Sequence, residues 1–215
     1  MKIDKKYNIY YFMIIFFITI VLRVLIYINY DQKISNDTLR FHISNIYRFF
    51  IWVLPVFLYL IFVDKKNPFI YLKLITSVKK GVLYSLAVLA AGIAWQLLEI
   101  AFANDSIENF SFLSILAIIV IPVFEEILAK GFVLNKLSEI MSFKKALPIS
   151  AGFFWLCHIP GWFLIGDPLP LNQFLLNSIS VFAVVGIISG VLMKKSNSLY
   201  PSIVLHAVNN FISSI

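Results

Sequence analysis

Residues 124–131 read FEEILAKG, two adjacent acids followed by a base, and they lie in an otherwise apolar segment at about 112–137. A carboxylate at membrane depth costs roughly 2.5 kcal/mol or more even on lenient insertion scales, so an acid in such a segment indicates a functional site. Successive residues of a helix point about 100° apart, whereas residues four apart share a face. Glu125 and Glu126 therefore cannot perform the same task, and Glu126 can pair with Lys130.

The composition is that of a membrane protein. Of the 215 residues, 60% are hydrophobic and only 13% are charged, and a soluble domain of this size could not bury so much apolar surface. The net charge is +7, but the basic residues flank apolar segments, where anionic lipid headgroups account for them. We therefore expect the lipid bilayer as a partner and no nucleic acid.

The apolar segments predict an all-α fold, a polytopic transmembrane helical bundle of about seven spans. We place the spans at about 7–30, 48–63, 81–103, 112–137, 147–165, 174–193 and 199–215. The connections alternate between base-rich and base-poor, which predicts that the N-terminus and the base-rich connections face the cytosol. A polar connection is predicted at 31–47 and an interfacial loop at 64–80.

Three residues carry predictions about packing within the spans. Arg23 in the first span is expected either to reach toward an interface or to pair internally. Gly186 and Gly190 in the sixth span form a small-xxx-small spacing, which lets two helices approach closely. None of the three indicates chemistry by itself.

Two of the three histidines also lie in apolar segments. His158 lies in the fifth predicted span and His206 in the seventh, where Asn210 shares its helical face. Counted from the cytosolic ends of their spans, Glu125 and the two histidines lie at a common depth of ~10–17 Å. Two histidines with a carboxylate are a ligand set that zinc accepts, and they can also activate water by general-base chemistry. Either chemistry predicts a buried hydrolytic site.

The order of three motifs resembles the CPBP family of intramembrane proteases, the CAAX-processing and bacteriocin-processing enzymes also called the Abi family. The motifs are Glu-Glu-x-x-x-base-Gly from Glu125, Phe-x-x-x-His from Phe154 and His-x-x-x-Asn from His206. The resemblance covers about residues 81–215, which we predict to be a CPBP-like protease core. Residues 1–80 are predicted to hold two further spans and a basic cytosolic loop.

The resemblance implies a catalytic role for five residues. Glu125 resembles the acid that activates water, and Glu126 resembles the second acid of the same motif. His158 resembles the histidine of the second motif, and His206 with Asn210 resembles the pair of the third motif. Water is expected to attack a peptide carbonyl, with Asn210 or a histidine stabilising the oxyanion.

Phe154 and Lys130 are expected to support the site. The family usually has arginine at the position of Lys130, and lysine keeps the charge but loses the planar fork that binds a carboxylate through two hydrogen bonds. A divalent metal is a possible cofactor implied by the resemblance, zinc being the best match. Its ligands would be Glu125, His158 and His206.

The sequence thus predicts an intramembrane endopeptidase of the bacterial cytoplasmic membrane, a multi-pass protein with a cytosolic N-terminus. Its substrate is expected to be a peptide or a membrane-tethered protein, and the resemblance suggests peptide maturation or bacteriocin self-immunity. One alternative is a non-catalytic membrane immunity or scaffold protein. Another is a proton-coupled transporter that uses the same glutamates and histidines as a relay.

Overall fold

A computed structural model describes residues 5–103, 111–165 and 169–213, which form helices and no strand. Six of these helices are long and apolar enough, by length and composition, to cross a membrane. The predicted all-α transmembrane bundle is therefore confirmed. Helices α1 to α8 comprise Lys5–Asn29, Asp37–Val63, Pro68–Tyr71, Val78–Ala103, Phe112–Ile140, Phe143–Leu164, Leu171–Ser196 and Tyr200–Ile212.

The seventh predicted span is the short helix α8, which is not one of the six long apolar helices. Its 13 residues extend about 20 Å at a rise of 1.5 Å per residue. It packs against α4, α5 and α7. Three longer helices therefore hold α8 in place, and its polar side chains face the inside of the bundle.

The polar connection predicted at 31–47 is wrong for most of its length. A 3-10 turn at Asp31–Lys33 follows α1, and α2 already begins at Asp37. Asn36 caps α2 by accepting a hydrogen bond from the N–H of Leu39 at 2.9 Å. Hydropathy missed this part of α2 because its polar residues recur at helical spacing and line a cavity inside the bundle; they are Asp37, Arg40, Ser44 and Arg48.

Three of the long helices widen locally into π-helical turns. These are Phe49–Val53 and Tyr59–Val63 in α2, Ile127–Leu134 in α5 and Ser180–Ile188 in α7. The turn in α5 directly follows Glu126, and Pro122, which has no N–H to donate, lies one turn before it. Single π-helical turns frequently occur at functional sites. This one carries Lys130.

Aromatic packing joins the N-terminal helices to the rest of the bundle. Phe16 of α1 lies 6.3 Å from Trp52 of α2 and 6.2 Å from Phe153 of α6, measured between ring centroids. Phe12 lies 4.7 Å from Phe132 of α5. Helix α1 therefore packs directly on α2, α5 and α6.

The faces that point away from this core are apolar, as lipid contact requires. On α1 and α4 the exposed large side chains include Ile14, Ile15, Ile18, Leu83, Leu86 and Ile93. A soluble protein would not expose such continuous apolar surface.

The loop predicted at 64–80 is tied to the end of α5. The hydroxyl of Tyr71 donates a hydrogen bond to Glu139 Oε1 at 2.8 Å, and Lys66 pairs with the same oxygen at 2.6 Å. Burial, together with this carboxylate, raises the pKa of Tyr71 far above its usual value, so the hydroxyl remains a donor. The base-poor connection predicted at 104–111 lies outside the described residues except for Ser111, and so do the first two residues of the one predicted at 167–173, where α7 already begins at Leu171.

The close approach predicted for Gly186 and Gly190 is confirmed. A Cβ atom added to Gly186 would lie 2.7 Å from Ala151 Cβ, and one added to Gly190 would lie 2.5 Å from Leu147 Cδ1. Both contacts are shorter than real carbon–carbon contacts. Helices α6 and α7 therefore pack at a distance that only glycine allows at these positions.

We predict that Gly186→Ala destabilises the bundle by about 1–3 kcal/mol, because the added methyl group must push α6 and α7 apart. Gly152→Ala on α6 is the matched control, because its Cβ would find only an ordinary contact of 3.9 Å to Phe182. Thermal unfolding of the two variants in detergent, followed by circular dichroism, measures the difference. Equal midpoints for the two variants would contradict the packing described here.

Candidate active site

Glu126 is completely buried where α5 meets α8, with 0% of its surface exposed. Its Oε2 accepts a hydrogen bond from the Ser202 hydroxyl at 2.5 Å. Its Oε1 lies 3.1 Å from His206 Nδ1 and 3.6 Å from Lys130 Nζ. A buried charge is tolerated only when it is paired and hydrogen-bonded. Both oxygens of Glu126 are therefore committed to partners inside the protein.

Lys130 lies one helical turn after Glu126 and is equally buried. Besides the carboxylate, its Nζ faces the ring of Phe154 at 4.5 Å from the ring centroid, a cation–π contact. The predicted pairing of Lys130 with Glu126 is confirmed. At 3.6 Å the pair is a charge contact without a hydrogen bond.

Glu125 has different surroundings from its neighbour. Its side chain is 14% exposed and lies in the wall of a cavity. Its Oε2 is 3.6 Å from His206 Nε2 and 3.8 Å from His158 Nε2. The structure thus separates the two adjacent acids as the helical geometry predicts. Glu126 is locked inside the protein, whereas Glu125 can meet a substrate.

Hydrogen bonds determine which nitrogen of each histidine carries a proton. His158 Nδ1 lies 2.9 Å from the carbonyl oxygen of Phe154, which can only accept, so Nδ1 donates. His206 Nδ1 donates in the same way to the carboxylate of Glu126. In their neutral forms both rings therefore present an unprotonated Nε2 to Glu125.

The ring of Phe154 holds both histidines in position. Its centroid lies 4.6 Å from the His158 ring and 5.6 Å from the His206 ring, with interplanar angles of 65° and 89°. Edge-to-face contacts of this kind stabilise a fixed ring orientation. Phe154 therefore supports the site through its ring and through its carbonyl oxygen.

The cavity beside Glu125 has a volume of about 520 Å³ and lies between α1, α2, α5 and α6. Pockets of this size hold small ligands or short peptide segments. Its wall includes His158 as well as Glu125 and is otherwise largely apolar, with several cations on the side of α1 and α2. The lining also includes Arg23, Arg40, Arg48, Trp52 and Ile165.

Glu125 and His158 lie further from the base-rich ends of their helices than their predicted spans imply, whereas His206 lies six residues after Tyr200, the start of α8. Glu125 is fifteen residues from Ile140, and His158 is fifteen residues from Phe143, because both helices extend beyond their predicted spans. That spacing corresponds to about 22 Å along a helix. The cavity extends further from there, toward Ile165 at the opposite end of α6.

The donor atoms at the site are of the types that zinc accepts. However, the described part of the chain contains no group of three His, Cys, Asp or Glu side chains arranged to hold a metal ion. We therefore derive the chemistry from the side chains alone. Metal binding by Glu125, His158 and His206 stays a prediction.

Two residues of α8 differ from what the sequence analysis expected. The side chain of Asn210 makes no hydrogen bond to the described residues and does not line the cavity, so its catalytic role stays a prediction. Ser202, which binds Glu126, was missed. The sequence indicates this residue only through its spacing, because Ser202, His206 and Asn210 follow one another at intervals of four and share a helical face.

Comparison with known proteins gives one match. A family model described as "Type II CAAX prenyl endopeptidase Rce1-like" matches residues 107–212, which contain every residue of the site. No curated protein and no solved structure matches the chain. Residues 1–106, including α1, α2 and α4, lie outside the match. Residues 107–212 of this multi-pass membrane protein are thus similar to the Rce1-like family of type II CAAX prenyl endopeptidases.

Proposed function

We propose that this protein is an intramembrane endopeptidase that hydrolyses a peptide bond with a water activated by Glu125. One observation supports the proposal above all. The Nε2 atoms of His158 and His206 both face Glu125 Oε2, at 3.8 and 3.6 Å, beside a cavity that can admit a short peptide segment. The match of residues 107–212 to a family of endopeptidases supports it independently.

In the proposed mechanism a water molecule binds between Glu125 Oε2 and the two Nε2 atoms. Glu125 takes a proton from this water, and the oxygen adds to the carbonyl carbon of the substrate. The proton then passes to the departing nitrogen as the C–N bond breaks. Distances of 3.6 and 3.8 Å between Glu125 Oε2 and the two unprotonated Nε2 atoms leave no direct hydrogen bond, so the hydrogens of a bound water can bridge these acceptors.

Glu126 acts in this mechanism through His206. Its carboxylate holds Nδ1 of His206, so the ring can take up a second proton from solvent at Nε2 before the water attacks. That Nε2–H can then donate to the oxyanion of the tetrahedral intermediate. Asn210, one turn further along α8, is proposed as a second donor to the same oxygen.

The proposed substrate is a peptide or a membrane-tethered protein that enters the cavity from within the bilayer. Peptide maturation and bacteriocin self-immunity are the proposed biological settings, and the bacterial cytoplasmic membrane is the proposed location. The basic residues of the loop at 64–80 and of Lys194 and Lys195 support a cytosolic N-terminus.

We predict that Glu125→Gln and His158→Ala abolish the release of the same peptide fragments, because each removes a group that contacts the attacking water. Mass spectrometry of membrane-associated peptides from cells that express each variant at matched levels measures the effect. Glu99→Gln is the control, because Glu99 lies outside the cavity and accepts a hydrogen bond from Trp95 Nε1 at 2.7 Å.

Fragments lost in both site variants but present with Glu99→Gln would identify the substrate as well as the activity. If no fragment changes in either variant while the cellular phenotype persists, the endopeptidase proposal is wrong. The non-catalytic immunity or scaffold role would then account for the protein better.

Metal removal provides a separate prediction. If the side chains alone activate the water, cleavage by the purified protein survives dialysis against EDTA or 1,10-phenanthroline. Loss of cleavage that added Zn²⁺ restores would instead make Glu125, His158 and His206 metal ligands. A parallel thermal unfolding curve excludes loss of activity through unfolding.

A further inference from the structure

Three arginines line the same cavity as Glu125, and all of them lie outside the part of the chain that matches the family model. Arg23 is on α1, and Arg40 and Arg48 are on α2 at helical spacing. Arginine within a membrane-spanning helix is costly and is normally paired or functional. The contacts of each arginine therefore show which of them is already neutralised by the protein.

Two of the three are paired with carboxylates. Arg23 Nη2 lies 2.6 Å from Asp31 Oδ2 and 2.8 Å from the Ser44 hydroxyl, which confirms the internal pairing expected for this residue. Arg40 forms an ion pair with Asp37 one turn before it. The charges of both side chains are thus balanced within the N-terminal helices.

Arg48 differs, because it forms no ion pair with any carboxylate of the described residues. Its Nη1 donates a long hydrogen bond of 3.4 Å to Asn45 Oδ1, and its guanidinium lies 5.6 Å from the centroid of the Trp52 ring. Its Nε is buried and donates to no acceptor, and the same is true of Arg23 Nη1. Buried donors without an acceptor are unfavourable.

We propose that Arg48, together with Arg23 Nη1, binds a carboxylate of the substrate peptide. The proposal rests on the proposed endopeptidase function and deepens it. A guanidinium binds a carboxylate through two parallel charge-assisted hydrogen bonds, which are about twice as strong as neutral ones. The carboxylate belongs either to the C-terminus of the peptide or to an acidic side chain.

The position of Arg48 along its helix places this subsite close to the catalytic residues. Arg48 lies eleven residues from Asp37, the start of α2, and Glu125 lies thirteen residues from Phe112, the start of α5. Measured along each helix from its first residue, Arg48 therefore lies at about 17 Å and Glu125 at about 20 Å. Because both residues also line one cavity, a peptide bond at Glu125 and a carboxylate at Arg48 can belong to one short segment.

The same depth favours a peptide carboxylate over the phosphate of a lipid headgroup. Headgroups lie outside a hydrocarbon core about 30 Å thick, whereas Arg48 lies well inside its helix. A substrate that carries a carboxylate to this depth needs a cation there. Arg48 would therefore select such substrates as well as hold them.

Three pools of synthetic random-sequence peptides test the proposal, all without Glu. The first lacks Asp and has a free C-terminal carboxylate, the second lacks Asp and has a C-terminal amide, and the third is amidated with one Asp at a fixed position. The full-length protein is reconstituted in phosphatidylcholine vesicles, and cleavage is measured by mass spectrometry. Glu125→Gln provides the blank.

We expect the wild type to cleave one carboxylate-bearing pool at least about tenfold faster than the neutral amidated pool, since one charge-assisted bidentate contact accounts for such a factor. The favoured pool distinguishes a terminal carboxylate from an acidic side chain. Arg48→Met should bring the ratio of the two cleavage rates, carboxylate-bearing pool over neutral pool, to within about twofold of one. Arg48→Lys should give an intermediate ratio. Arg40→Met, which removes a cation already paired with Asp37, should keep the wild-type ratio.

A wild-type ratio near one would overturn the carboxylate subsite and leave the endopeptidase function intact. The same holds if Arg48→Met keeps the preference, or if Arg40→Met abolishes it. If phosphatidylglycerol in the vesicles slows cleavage of all pools by the wild type but not by Arg48→Met, Arg48 binds lipid phosphate instead. If the wild type cleaves no pool at all, the proposed function fails together with this proposal.

Discussion

Glu126 is shielded from solvent and lipid, and its charge is balanced by side chains from two helices. Lys130 comes from its own helix α5, and Ser202 and His206 come from α8. Leaving one buried charge without its partner costs about 3–5 kcal/mol, so this cluster fixes α8 against α5. The same contacts orient His206 so that its Nε2 faces Glu125. The geometry of the proposed catalytic residues thus depends on a carboxylate that is fully buried.

The two adjacent acids show how position on a helix can give one residue type two tasks. Glu125 and Glu126 have the same chemistry, but they point about 100° apart, one toward the cavity and the other into the protein. Lys130 occupies the position where the family usually has arginine, and it meets Glu126 through charge and Phe154 through its ring. Ser202 and His206 supply the hydrogen bonds to the carboxylate of Glu126 that Lys130, at 3.6 Å, does not make.

The sequence predicted the helical fold and the meeting of Glu125, His158 and His206, because ionisable residues in apolar segments are too costly to occur without a reason. The sequence-based prediction was wrong for the first part of α2 and missed Ser202. The first part of α2 is polar because it lines a cavity, so hydropathy alone placed Arg48 at the boundary of a loop. Ser202 could not be identified from its residue type, because serine is common in membrane helices. Its role comes only from the carboxylate of Glu126 on another helix.

Thermal unfolding and peptide cleavage of Glu125→Gln and Glu126→Gln, measured side by side in the same detergent and vesicles, test the account most directly. The account predicts that Glu125→Gln unfolds like the wild type but does not cleave. Glu126→Gln should unfold at a clearly lower temperature because it leaves Lys130 as an unpaired buried charge, and Glu126→Gln combined with Lys130→Met should recover part of that loss. A Glu126→Gln variant as stable and as active as the wild type, or a Glu125→Gln variant that still cleaves, would contradict the division of roles between the two acids.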